Sequence, residues 1–81
     1  MGEEKLLNQV QKTVSEYLNV PLEDVRPESS FVDLGADSMD RLDLLLGLEE
    51  ALNIDIPDDD AKHLMTVQSV VDYVNQRSQR I

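Results

Sequence analysis

The chain has 81 residues, of which 41% are hydrophobic, and it contains no cysteine. That length makes one small domain (residues 1–81) with a modest core and little room for an enclosed active site, and without cysteine there are neither disulfides nor thiolate metal sites. Seventeen acids against seven bases leave a net charge of -10, which argues against nucleic acid, whose phosphates would be repelled, and for a basic surface on a partner protein.

The pattern predicts an all-α domain: helix, long loop, helix, short helix, helix. The first helix is expected over about 3–18, where Leu6, Leu7, Val10, Val14, Tyr17 and Leu18 recur at helical spacing. Glu3 and Glu4 suit the positive end of its dipole, and Asn19 and Pro21 end it. Residues 19–36 read as an ordered loop punctuated by Pro21, Pro27, Ser29, Ser30 and Gly35. Val20, Leu22, Val25, Phe31, Val32 and Leu34 are its anchors to the core. A strand at 30–34 is discounted because no partner strand is evident. A second helix is expected over 38–52, capped by Asp37 and ending near Asn53. Ile54-Asp55-Ile56-Pro57 reads as an extended connector, followed by a short helix near 58–64. Thr66 caps a last helix over 67–77 with the inward stripe Val67, Val70, Val71 and Val74.

The polar, acidic N-terminus shows no signal peptide, and no run approaches the roughly 20 apolar residues of a membrane span. A cytoplasmic protein without membrane insertion, and a monomer, is the expectation. The acidity is uneven. Residues 33–60 hold ten acids and one base, net -9, whereas residues 61–81 hold one acid and three bases, net +2. Solubility alone is one explanation; a basic partner is the other.

On a helical wheel, Leu44, Leu45, Leu48 and Leu52 form one apolar side of the second helix, with Ala51 at its edge. Met39, Leu42 and Leu46 form another, nearly opposite, flanked by Asp43, Glu49 and Glu50. A surface helix ordinarily has one apolar stripe. Full burial would take the acids in as well, which is costly. The second stripe therefore reads as a partner-binding surface with an acidic rim, against the plainer possibility that it packs under the long loop.

Ser38 opens this helix within Asp33-Leu34-Gly35-Ala36-Asp37-Ser38-Met39-Asp40. As a catalytic nucleophile it would need a base and an oxyanion hole. The only histidine is His63, read as a solvated surface residue, and the Gly-x-Ser-x-Gly elbow is absent. No catalytic residue is assigned. In isolation Ser38 reads equally as an ordinary helix-start residue. A phosphate attached there would sit at the positive end of the helix dipole. Asp37 and Asp40 would help a modifying enzyme position a metal ion or a basic groove. Asp58-Asp59-Asp60 lacks the spacing and central glycine of a calcium loop, and no metal site is assigned.

These residues resemble the acyl carrier protein family, of the free-standing type. The likeness runs from Asp33 to Asp40, through Leu42-Asp43-Leu44 and Leu48-Glu49-Glu50, across Ile54 to Ala61 and from Thr66-Val67 to Asp72-Tyr73-Val74. It implies a small four-helix bundle with a long first loop. It implies that Ser38 carries 4'-phosphopantetheine from coenzyme A, attached by a magnesium-dependent phosphopantetheinyl transferase (holo synthase). The arm's thiol would carry acyl groups as thioesters, so the reactive thiol is imported. Met39, Leu42, Asp43, Leu46, Glu49 and Glu50 match positions that dock onto basic patches of acyl-transferring, condensing and modifying enzymes. Leu44, Leu48, Ile56, Ala61 and Leu64 match the acyl-chain cavity and serve equally as ordinary core. The single residue between Phe31 and Asp33 resembles polyketide and peptidyl carriers rather than fatty-acid carriers. Arg41, Gly47, Ala51, Leu52 and the bases Lys62, His63, Arg77 and Arg80 also depart from the fatty-acid pattern. The expected role is therefore non-enzymatic acyl transport in fatty-acid, specialised-lipid or polyketide biosynthesis. The alternatives are an aminoacyl or peptidyl carrier, and an unmodified acidic helical adaptor; a small serine hydrolase lacks a base.

Overall fold

The computed structural model describes the backbone of residues 2–78 and the side chains of residues 4–77; the Glu3 and Arg80 side chains lie outside these. Four helices follow in order: α1 (Gly2–Leu18), α2 (Ser38–Leu52), α3 (Asp58–Ala61) and α4 (Val67–Ser78). A 3-10 turn, Leu22–Asp24, interrupts the long loop. Helix α1 packs against both α2 and α4. Among the described residues, no helix is long and apolar enough to cross a membrane.

The core follows the periodicity. Val10 and Val14 of α1 meet Leu44, Leu45 and Leu48 of α2 and all four valines of the α4 stripe. Each fully buried Leu or Val contributes on the order of 1.5–3 kcal/mol. Tyr17 departs from the expected stripe. It is half-exposed, and its ring lies over Gly47 of α2. A Cβ at Gly47 would collide with that ring, so glycine lets α1 and the tyrosine approach the helix.

The helix ends are chemically explicit. Asn19 and Asn53 adopt the left-handed conformation, at φ 58 and 54, a backbone that asparagine tolerates better than most residues. At the start of α4, the Ser69 N–H donates to Thr66 Oγ1 at 3.1 Å, and the Thr66 N–H donates to Ser69 Oγ at 3.0 Å. The long loop satisfies two further helix-start donors. The Val67 N–H reaches the Ser29 carbonyl at 3.1 Å, and the Gln68 N–H reaches that of Pro27 at 2.8 Å.

A strand at 30–34 is absent, but Ser30 does form one antiparallel bridge, with Thr66. The loop is further fixed by buried Val25 and Phe31 and by Gln11 Nε2 donating to the Val25 carbonyl. Helix α3 is shorter than the expected 58–64. After Ala61 the chain tightens, with the His63 N–H on the Asp60 carbonyl and the Leu64 N–H on that of Ala61. This turn drops Leu64 into the core and aims the Met65 carbonyl at the Phe31 N–H, 3.0 Å away. Tyr73 ties α3 to α4 by donating to the Asp60 carboxylate at 2.6 Å, while Arg77 donates to the Tyr73 oxygen and lies over its ring.

Candidate functional site

The site is built on a turn that the core holds in place. Phe31 and Ala36 are both buried, and the Ala36 N–H donates to the Phe31 carbonyl at 3.0 Å. Between them Gly35 takes φ +99 with open space around it. Its requirement is therefore conformational rather than steric; only glycine adopts this backbone without strain. The turn delivers Asp37 as the cap of α2. The Asp40 N–H donates to Asp37 Oδ1 at 2.9 Å, and the Asp37 N–H donates to Asp40 Oδ2 at 3.2 Å. This reciprocal capping box fixes the first turn of α2.

Ser38, between the two acids, is exposed, and its hydroxyl has no hydrogen-bond partner among the described residues. Nothing there activates it as a nucleophile. His63 is exposed and does not line the groove beside Ser38. Among the described residues, no cluster of three or more histidine or acidic side chains is arranged to hold a metal. The serine is presented, not armed.

The second stripe of α2 is in solvent. Met39 is 72% exposed, Leu42 61% and Leu46 60%, so these residues do not pack under the loop. Asp43 and Glu50 are exposed beside them. Glu49 is placed differently. It is half-buried, and its carboxylate accepts the Ile56 N–H at 2.8 Å, holding the connector between α2 and α3.

An open groove of about 330 Å³ starts at Ser38 and runs between α2 and α3. Arg41, Leu42 and Leu45 line it on α2, and Asp58, Ala61 and Lys62 line it on the other side. The size is at the low end for small-ligand pockets. It suits part of a flexible chain lying along the surface rather than an enclosed substrate. Of the five residues matched to an acyl cavity, Ala61 lines this groove, while Leu44, Leu48, Ile56 and Leu64 are in the closed core.

Arg41, Leu45, Asp58 and Lys62 were not among the expected site residues. Arg41 carried the clearest signal, being the only base between residues 33 and 60 and standing three positions after Ser38. That spacing puts the two on one helix face.

The phosphopantetheine attachment site (PP-binding) family matches residues 8–74, a span that takes in the Ser38 turn, the groove and the core of all four helices. Domains of this family are generally non-catalytic carriers, loaded by phosphopantetheinyl transferases with a covalent 4'-phosphopantetheine. An exposed, unactivated serine on a rigid helix start, with a shallow groove beside it, fits such an arm. The chain belongs to the phosphopantetheine attachment site family of carrier domains.

Proposed function

We propose that Ser38 is the attachment residue and that the arm's thiol carries acyl groups between enzymes of fatty-acid, specialised-lipid or polyketide synthesis. The carrying observation is the juxtaposition of an exposed, rigidly presented Ser38 with the solvent-facing stripe Met39, Leu42 and Leu46 on the same helix. In the loading reaction, Ser38 Oγ bonds to the coenzyme A phosphorus that bears pantetheine. The bond from that phosphorus to the bridging pyrophosphate oxygen breaks. Adenosine bisphosphate leaves with the electron pair, and the hydroxyl proton passes to a base of the transferase. The carrier contributes position only: the capping box of Asp37 and Asp40 holds the serine at the surface.

Met39, Leu42 and Leu46 form the apolar centre of the docking surface, and Asp43 and Glu50 form its acidic rim. The rim steers basic enzymes to the serine, and salt weakens the attraction. Glu49 acts from inside by holding the connector. The acyl reading is supported by the resemblance of Gly35-Ala36-Asp37-Ser38 to acyl carriers and by the apolar floor of Leu42, Leu45 and Ala61 in the groove. The test is to load the arm and offer the holo protein separately to an acyl-transferring enzyme and an amino-acid-adenylating enzyme. Acyl thioester formation with the first alone is expected. Loading by the second alone would overturn the acyl assignment and favour an aminoacyl carrier.

A further inference from the structure

We infer that the Arg41 guanidinium binds the phosphodiester through which the arm joins Ser38, laying the root of the arm into the groove between α2 and α3. This rests on Ser38 being the attachment residue. Arg41 and Ser38 line the same groove. They stand three residues apart on one helix, a spacing that separates Cβ atoms by about 5–6 Å. Arg41 is surrounded in sequence by ten acids between residues 33 and 60. Yet its side chain makes no ion pair or hydrogen bond with any of them among the described residues. Its Nε–H is buried without an acceptor. A charged donor left so is costly, and a turn of the side chain that brought it onto an anion in the groove would relieve it.

The geometry favours a phosphodiester. A guanidinium donates two parallel N–H groups from a rigid fork, matching the two free oxygens of a phosphodiester. The floor formed by Leu42, Leu45 and Ala61 excludes water from one side and strengthens the pair. The anion is tethered three residues away, so its local concentration is high. A carboxylate at the far end of a cargo would have to fold back to reach the same place. Asp58 is the one carboxylate lining the groove, and it leaves Arg41 unpaired. Lys62, on the same wall as Asp58, is 3.8 Å from Asp59 in a solvent-exposed pair, which holds it weakly.

The experiment follows the Arg41 Nε–H by proton–nitrogen NMR and the arm by phosphorus NMR, in apo and holo protein whose arm on Ser38 is verified by intact mass. Attachment is expected to shift the Nε–H downfield and slow its exchange with water. Arg41→Gln is expected to move the phosphorus resonance towards that of a solvated phosphodiester, taken from the same holo protein unfolded in denaturant. If Arg41→Gln fails to fold, Arg41→Lys carries the test. It keeps the charge and loses the fork, so it should shrink the phosphorus shift without abolishing it. No arm on Ser38 overturns both this inference and the site it rests on. An arm on Ser38 with unmoved Nε–H and phosphorus signals overturns this inference alone. A response that appears only when succinyl replaces butyryl as cargo overturns the phosphodiester assignment and gives Arg41 to the cargo's carboxylate.

Discussion

The two apolar faces of α2 have opposite fates. Leu44 and Leu48 are buried in the core on the side of α2 that packs against α1, whereas Met39, Leu42 and Leu46 stand in solvent beside Asp43 and Glu50. Both faces are leucine-rich, so composition does not separate them; burial does. The inner face contributes the energy of the fold. The outer face is left free for a surface role, and Ser38 opens the helix that carries both. Substitutions should therefore divide cleanly between those that lower stability and those that alter what the folded protein meets.

The largest separation should come from comparing Leu48→Ala with Leu46→Ala. The first opens a cavity in the core and should cost about 2–5 kcal/mol in denaturant unfolding. The second should stay within roughly 0.5 kcal/mol of the parent while slowing loading by the transferase. Equal losses of stability would erase the distinction between the faces. Next, Asp37→Ala removes half of the capping box and should cost about 1 kcal/mol, read from the same unfolding curves.

A smaller effect is expected at the seam between α1 and α2. Gly47→Ala gains about 1 kcal/mol of helix propensity but displaces the Tyr17 ring. Because that ring is half-exposed, it can swing outward. The net change should lie within about 1 kcal/mol, accompanied by altered Tyr17 ring resonances. Unchanged resonances would show that the ring does not rest on Gly47.

The smallest effect is the alkaline one. Burial, then the hydrogen bond to Asp60, raise the Tyr73 phenol above tyrosine's ordinary value of about 10, with Arg77 pulling the other way. The neutral phenol is thus favoured by the fold. Its contribution is fully present below the unfolded value and is lost as pH rises through the raised folded value. Tyr73→Phe should remove this alkaline loss, as seen by following unfolding across that range.

The bounds of α2 were legible because side chains mark them: Asp37 and Asp40 close the capping box, and Asn53 takes the left-handed end. The valine stripe of α4 was legible from its spacing, and all four members are buried. The bridge from Ser30 to Thr66, and the loop carbonyls that cap α4, were not legible, because backbone partners leave no side-chain pattern. The end of α3 was misplaced for the same reason: the Phe31 N–H meets the Met65 carbonyl after an early turn. At the site, the exposed stripe was legible from the wheel. Glu49 was read with the rim, yet its carboxylate turns to the Ile56 N–H, a contact set by a connector whose path sequence does not give. Arg41 stood out as a lone base, but its groove exists only once α3 is in place.

The central claim is that Ser38 receives the arm. The most direct measurement is the intact mass of the parent and of Ser38→Ala after incubation with coenzyme A, magnesium and a broad-specificity phosphopantetheinyl transferase, with circular dichroism to confirm that both are folded. The account predicts that the parent gains one phosphopantetheine and that Ser38→Ala gains none. A folded parent that stays unmodified beside an active control carrier, or a gain that persists in Ser38→Ala, would contradict it.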